Sequence, residues 1–247
     1  MIGLCSVTFR HLSIDEIFKL AKDMELDAIE WGSDIHVRPG DFDTALLIKN
    51  RSQELGISYT SYGSYYFLHE SQNFDQILET AHAMNAKTIR LWAGKVSSEE
   101  ASDRYRQALI SEAKQLANIA QEKNIHIALE YHSGTLTDTP ESAHRLIGEI
   151  NHPNVSLYWQ PAENLTVPER LSSLKCLMND ISNIHVFHWR DFNHRYSLAL
   201  GRKEWLKYLN FLGNNEHVYY LEFVKDDSIE QFKEDIMTLR SWLGELM

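Results

Sequence analysis

Eight short strand patterns alternate with amphipathic helix patterns along 247 residues, and no linker or shift in composition separates them. This alternation predicts an α/β fold, a single (β/α)8 or TIM barrel, with residues 1–247 forming one domain. The length is typical of such a barrel and sufficient for a large core. A doubly wound open sheet is the competing architecture, but no GxGxxG follows the first strand to support it.

The first strand pattern is Ile2–Thr8. Ser13 and Glu16 have capping-box spacing at the start of the helix pattern Ser13–Met24. Asp27–Trp31 follows, and Gly56 stands where a helix must stop before Ile57–Tyr62, at a position that favours left-handed backbone. After Thr88–Trp92, Ser97 and Glu100 repeat the capping-box spacing ahead of the amphipathic Tyr105–Lys123, which ends at Asn124. Ile125–Glu130 precedes Thr139-Pro140-Glu141, an N-cap followed by proline at the first helical position. Val155–Gln160, Ile184–His188 and Val218–Phe223 complete the eight.

Composition narrows the function. The chain is 43% hydrophobic and 24% charged, as ordinary globular proteins are, with a net charge of −11 and no Lys/Arg-rich run. A nucleic-acid partner is not expected, because such binding draws its affinity from cations neutralising phosphates. Cys5 and Cys176 make neither a disulfide framework nor a metal knuckle and are expected as apolar core residues. The opening MIGLCSVTFR lacks the basic segment and apolar run of a signal peptide, and no stretch approaches the ~20 apolar residues that span a bilayer. A cytoplasmic protein with no membrane partner is expected. The oligomeric state is left open, a homo-oligomer among the alternatives.

Strand parity then points to a site. Side chains of a barrel strand alternate between the interior and the helix layer. One face of the fifth pattern carries Ala128 and Glu130, one face of the sixth Ser156, Tyr158 and Gln160, and one face of the eighth Tyr220 and Glu222. In the seventh, Val186 and His188 share a face. His185 and Phe187 oppose them, and His185 is expected to pack under the helices. The second and fourth patterns supply Glu30, Arg90 and Trp92. Polar groups thus gather at the C-terminal ends of strands, where barrel active sites are built. Burying them would cost several kcal/mol unless they pair or bind a ligand. The bland alternatives are an ion pair of Glu130 or Glu222 with Arg90, a satisfied core histidine at His188, and a rim ion pair of Glu30 with Arg90.

Seven segments in order resemble the xylose-isomerase-like TIM-barrel superfamily, the sugar (phosphate) isomerase/epimerase group. They are IEWGSDIHVRPGD (Ile29–Asp41), SYGSYY (Ser61–Tyr66), IRLWAG (Ile89–Gly94), LEYHSGTLTDT (Leu129–Thr139), LYWQP (Leu157–Pro161), HVFHWRD (His185–Asp191) and YLEF (Tyr220–Phe223). The resemblance implies a divalent metal (Mn, Mg or Zn) held by Glu130, Gln160, His188 and Glu222. Gln160 stands where the family commonly has Asp, and Glu163 falls where a His often follows. It further implies proton transfer next to a sugar carbonyl through an enediolate, with Glu130 and Glu222 as the acid/base pair.

A small sugar or sugar-derived molecule is the implied partner, without a phosphate-cradling Gly-rich loop to favour a phosphorylated one. Glu30, His36, Tyr62, Arg90, Trp92, His132, Glu163 and Arg195 are the candidate substrate contacts. Arg195 is near the place of a substrate-orienting arginine in related epimerases, with Arg190 as the alternative. Three other readings are a dehydratase of a keto-sugar or inosose on the same site, a non-catalytic sugar-binding barrel with a degraded metal site, and the apurinic endonuclease branch. The last needs further metal-binding His and Asp, where this chain has Tyr62 and Trp92.

Overall fold

The computed structural model describes residues 1–163, 165–213 and 216–245. Strands β1 (Ile2–Cys5), β2 (Ala28–Gly32), β3 (Tyr59–Phe67), β4 (Thr88–Trp92), β5 (His126–Glu130), β6 (Val155–Trp159) and β7 (Ile181–Val186) are joined by the later β10 (Val218–Leu221) into a closed, all-parallel barrel. The two short strands β8 (Trp189–Asp191) and β9 (His194–Arg195) form an antiparallel hairpin outside it. Helices α1 (Ile14–Asp23), α2 (Phe42–Leu55), α3 (Phe74–Ala83), α4 (Asp103–Glu122), α5 (Pro140–Ile150), α6 (Val167–Leu177), α7 (Arg202–Leu212) and α8 (Ile229–Glu245) follow successive barrel strands.

Local chemistry sets the boundaries. Ser13 and Glu16 complete a reciprocal capping box on α1, and the Thr139 side chain accepts from Ser142 N ahead of Pro140 on α5. Gly56 and Asn124 adopt φ of 72° and 57°, the left-handed backbone expected where these helices stop. Ser97 and Glu100 do bond to each other, but in a turn; the N-cap of α4 is Ser102, whose hydroxyl accepts from Tyr105 N.

The core has two parts. A large layer between sheet and helices takes the outward strand residues, such as Ile89, Leu129, Leu157 and Leu221. A small plug inside the barrel joins Cys5, Ala28, Ala128, Tyr158, Val218 and Tyr220. Gly3 gives the Tyr220 ring its place: a Cβ there would lie 2.8 Å from the ring and 2.7 Å from Ala28 O. Tyr158 and Tyr220 stack at 6.2 Å with an interplanar angle of 12°, closing the interior beneath the strand ends. Polar side chains higher on the same strands therefore face upward onto a solid floor.

One irregularity governs the site. On β7, Ile181 pairs with Leu157 and Asn183 with Tyr158, so Ser182 is an extra residue opposite β6. Next door, Val218 pairs with Asn183 and Tyr220 with His185. In-register partners on parallel strands point the same way. Asn183 and His185 therefore face the barrel interior with Tyr158 and Tyr220, whereas Ile184 and Val186 join the outer core. Among the described residues no helix is long and apolar enough to cross a membrane.

Candidate active site

Seven barrel strands, or the residues just after them, contribute to one polar cluster. Arg90 of β4 donates from Nε to Glu30 Oε1 of β2 at 3.1 Å and from Nη1 to Glu130 Oε2 at the end of β5. Trp92 Nε1 donates to the same Glu130 oxygen. Glu222 follows β10, its backbone N–H bonded to Val186 O at 3.1 Å. His185 of β7 is fully buried between the carboxylates: Nδ1 lies 3.5 Å from Glu222 Oε2 and 3.7 Å from Glu130 Oε1, and Nε2 lies 3.6 Å from Glu30 Oε1. Gln160 Oε1 is 3.4 Å from the same Nδ1, and its amide is held in that orientation by Nε2 donating to Tyr131 O at 3.1 Å. From below, Cys5 Sγ reaches Glu30 Oε1 at 3.3 Å.

The charges push one another apart. Burial works against the ionised form of Glu130, yet Arg90 and His185 hold its carboxyl below the ordinary glutamate value. Burial raises Glu222, assisted by the nearby Glu130 charge and only partly offset by His185. Glu30 is buried too, but Arg90 beside it brings its pKa down to about 2. Burial opposes a charge on His185, and Glu222, Glu30 and Glu130 together overcome it, raising the imidazole to about 9. Two carboxylates with opposed preferences now share one face of the pocket, the arrangement that separates a base from an acid.

The donor set fits a divalent cation. Gln160 Oε1, Glu222 Oε2 and Glu130 Oε1 stand 3.4–3.7 Å from His185 Nδ1. This is long for a hydrogen bond. Two carboxylates, an amide oxygen and an imidazole gathered around one point are the hard and borderline donors that such a cation takes. Three buried carboxylates share this cluster with the Arg90 guanidinium and the His185 imidazole, and a cation bound at Nδ1 would take the place of a ring proton as partner to Glu130 and Glu222. Glu130, Gln160, His185 and Glu222, one each from β5, β6, β7 and β10 or the residue just after them, would hold it.

Arg90, Trp92, Glu130, Gln160 and Glu222 of this cluster line a pocket of about 510 Å³, and His185, Glu30 and Cys5 do not. Its walls are strongly aromatic: Trp92 with His132 against it at 5.2 Å, the Phe187–Trp189 stack at 3.8 Å, and Tyr65 and Phe223. Of the candidate residues, Arg90, Glu130, Gln160, Glu222, Trp92, His132 and Glu163 line it, with Glu163 exposed at the rim.

Four candidates lie elsewhere. His188 comes after β7 has ended; its half-buried ring sits beside Gly201 and 5.7 Å from Tyr196, in a medium that lowers its pKa through burial. The strand histidine that faces the carboxylates is His185, the one expected under the helices. His36 is buried with Ser6 Oγ on Nδ1 at 2.9 Å and Leu12 O on Nε2 at 3.2 Å. Tyr62 points outward from β3 into the core and donates to Val37 O at 2.6 Å. Arg195 is held by Asp227 Oδ1 at 2.6 Å and lies over the rings of Phe192 and Phe223, with centroid distances of 4.3 and 5.0 Å. Glu30 is not among the wall residues either but lies beneath them, paired with Arg90.

The site residues that the sequence does not announce are His185, Cys5 and Tyr65. Asn183, polar and in phase with His185, is the signal for the first. Cys5, expected as apolar core, is buried as expected but bonds to Glu30. Tyr65 reaches the pocket because β3 runs on to Phe67.

Comparison with known proteins gives the same frame. A curated relative, 3-dehydroshikimate dehydratase of Bacillus anthracis, is 27% identical over 166 residues, 63% of this chain and 59% of that protein, so the match spans less than two thirds of its length. The crystal structure of the probable 3-DHS dehydratase involved in petrobactin synthesis in the same organism superposes with a TM-score of 0.77 at 19% identity, covering 97% of this chain and 98% of the other. D-psicose 3-epimerase of Clostridium cellulolyticum H10 follows the same course with a TM-score of 0.72 at 12% identity, covering 99% and 98%. At these identities the two structures speak for the fold. The family model described as xylose isomerase-like TIM barrel matches residues 18–242, and the chain belongs to that family.

Proposed function

We propose that this chain is an enzyme that moves a proton at a carbon next to the carbonyl of a sugar or sugar-like substrate, as an isomerase or epimerase does. One observation carries the reading: Glu130 and Glu222, both lining an aromatic-walled pocket, lie within 3.7 Å of one buried ring nitrogen. Glu130, Gln160, His185 and Glu222 would hold a divalent cation (Mn, Mg or Zn), which would supply Lewis-acid polarisation of the substrate carbonyl and hydroxyl oxygens. Glu130, kept ionised by Arg90, removes the proton from the carbon beside the carbonyl, leaving an enediolate. Glu222, on the opposite side of the site, returns a proton to the other face of the same carbon for epimerisation, or to the neighbouring carbon for isomerisation. The aromatic walls take the apolar face of the ring and keep water from the enediolate.

On this reading the substrate is an uncharged sugar. Arg90 is the one guanidinium among the described lining residues, and it is already engaged by Glu30 and Glu130, while Glu130, Glu163 and Glu222 make the lining acidic. A phosphate or carboxylate would find no free arginine or lysine among these residues.

Dehydration is the second reading, favoured by the 27% identical dehydratase. The same base takes the proton beside the carbonyl, the C–O bond at the adjacent carbon breaks, and the acid protonates the departing hydroxide to give water. Incubation with neutral ketohexoses, an inosose and 3-dehydroshikimate in D2O, followed by NMR, tests both. Deuterium entering beside the carbonyl with an intact carbon–oxygen skeleton supports epimerisation or isomerisation, and an unsaturated product supports dehydration. Glu130→Gln and Glu222→Gln, checked for fold by circular dichroism, should each lower turnover by at least about 10²–10⁴-fold. Wild-type rates in either variant would sink the proton-transfer reading. Metal and sugar binding without any exchange would favour the binding barrel.

A further inference from the structure

The imidazole of His185 has two working edges. Its Nδ1 edge faces Glu130, Gln160 and Glu222; its Nε2 is buried, has no hydrogen-bond partner, and points at Glu30 Oε1, 3.6 Å away. Glu30 is itself over-constrained. Its Oε1 accepts from Arg90 Nε at 3.1 Å and from the Cys5 thiol at 3.3 Å, while its Oε2 is buried without a partner. Gly63 leaves the space in which this carboxylate and Arg90 meet, since a Cβ there would be 2.8 Å from Oε1. A buried ring nitrogen without a partner thus lies 3.6 Å from a carboxylate that has one unpartnered oxygen, and leaving both buried groups unmet is costly.

We infer that Glu30 is a positioning residue for His185: it accepts the Nε2 proton and so fixes the ring in the tautomer whose Nδ1 lone pair faces Glu130, Gln160 and Glu222. The carboxylate–histidine–metal arrangement is a general way to orient a ligating imidazole and raise its basicity. Arg90 extends it, because the same guanidinium that holds Glu30 also holds Glu130. Two of the four donors are thereby oriented from one ion-pair triad. The inference rests on the proposed cation at the Nδ1 edge.

The rival for the Nε2 edge is a second cation, since donor atoms of Cys5, Glu30 and His185 all lie within 4.8 Å of one another. Arg90 argues against it. A cation on Glu30 Oε1 would sit beside a guanidinium nitrogen already 3.1 Å from that oxygen. A proton, not a metal, suits that edge.

Mn²⁺ titration followed by electron paramagnetic resonance, with ¹⁵N-histidine NMR of the Mg²⁺-loaded protein, tests this. We expect one Mn²⁺ per wild-type chain, a roughly 10–100-fold weaker site in Glu30→Gln, and a His185 signal with the proton on Nε2 in the loaded wild type. The tautomer reading needs no variant, so it stands even where Glu30→Gln does not fold. Unchanged Mn²⁺ affinity in a folded Glu30→Gln, a proton on Nδ1, or two Mn²⁺ per chain would each overturn the role of Glu30 while leaving the first cation in place. No Mn²⁺ uptake by the wild type would instead overturn the metal reading on which this one stands.

Discussion

A Cβ added at Gly63 would lie 2.8 Å from Glu30 Oε1 and 3.0 Å from Arg90 Nη2, and both of those groups are buried. Neither can retreat into water, so Gly63→Ala should push apart an ion pair whose members have no other place to go. The expected cost is about 1–3 kcal/mol, in the range of core overpacking. Gly148 offers the control within the same chain: it lies inside α5, and a methyl added there would meet nothing within 4 Å, so Gly148→Ala should stabilise by about 0.5–1 kcal/mol. Urea unfolding of the two variants gives both signs, and a neutral Gly63→Ala would mean that the Glu30–Arg90 pair is not held as tightly as its geometry implies. At this scale the sequence is informative wherever parity alone decides. Glu130, Gln160 and Glu222 can be placed because each strand offers one polar face. His36 and Tyr62 cannot be, because their partners, Ser6 and the Val37 carbonyl, belong to the 3-10 turn after β1 and the loop after β2.

Elements meet at α8, where Asp235 is buried and its Oδ1 accepts from Leu198 N and Gln231 Nε2, both at 2.9 Å. Leu198 opens the short 3-10 helix Leu198–Gly201, and Gly201 in turn packs against the His188 ring. Burial outweighs those two hydrogen bonds and raises the Asp235 pKa from 3.8 to about 6. The sign follows from proton uptake. Between those two values the folded state binds the proton more tightly than the unfolded chain, so this group adds stability as pH falls from 7 toward 4 and removes it as pH rises through 6. We expect the gain to be no more than about 2 kcal/mol, because part of the charge is screened. Asp235→Asn keeps the accepting oxygen, so it should be more stable than wild type at about pH 7 and equal to it near pH 4. A wild-type-minus-variant difference that stays flat across this range would show that Asp235 is not desolvated. The same connection explains why the inward histidine of β7 is hidden from the sequence. His185 and His188 have opposite parity, and nothing in Ile184–His188 says where the strand ends. It ends at Val186, and the extra Ser182 sets the phase that turns Asn183 and His185 inward.

The whole barrel is legible because its evidence is repeated eight times, whereas each site residue is written once. The four cation donors come from β5, β6, β7 and β10, which are consecutive neighbours in the closed sheet. A cation there would tie half of the barrel together at its C-terminal rim and bind the folded state alone. Mass action then predicts a gain of about 2.7 kcal/mol at a hundred times the dissociation constant. For a chain of this size each kcal/mol raises the melting temperature by about 2–4 °C, so Mg²⁺ or Mn²⁺ should raise it by roughly 5–10 °C, and EDTA should reverse the shift. The two histidines now separate the readings. His188→Ala, altered beside Gly201 and Tyr196, should lose some stability but keep the whole metal-dependent shift. His185→Ala should abolish the shift, since it removes the nitrogen from which Gln160, Glu222 and Glu130 are spaced at 3.4–3.7 Å. Scanning calorimetry of wild type and both variants, with and without EDTA, reads every shift on one scale. A shift that survives His185→Ala and vanishes in His188→Ala would return the ligand to the residue that the sequence alone favours and would leave the inward-facing imidazole without a cation to hold.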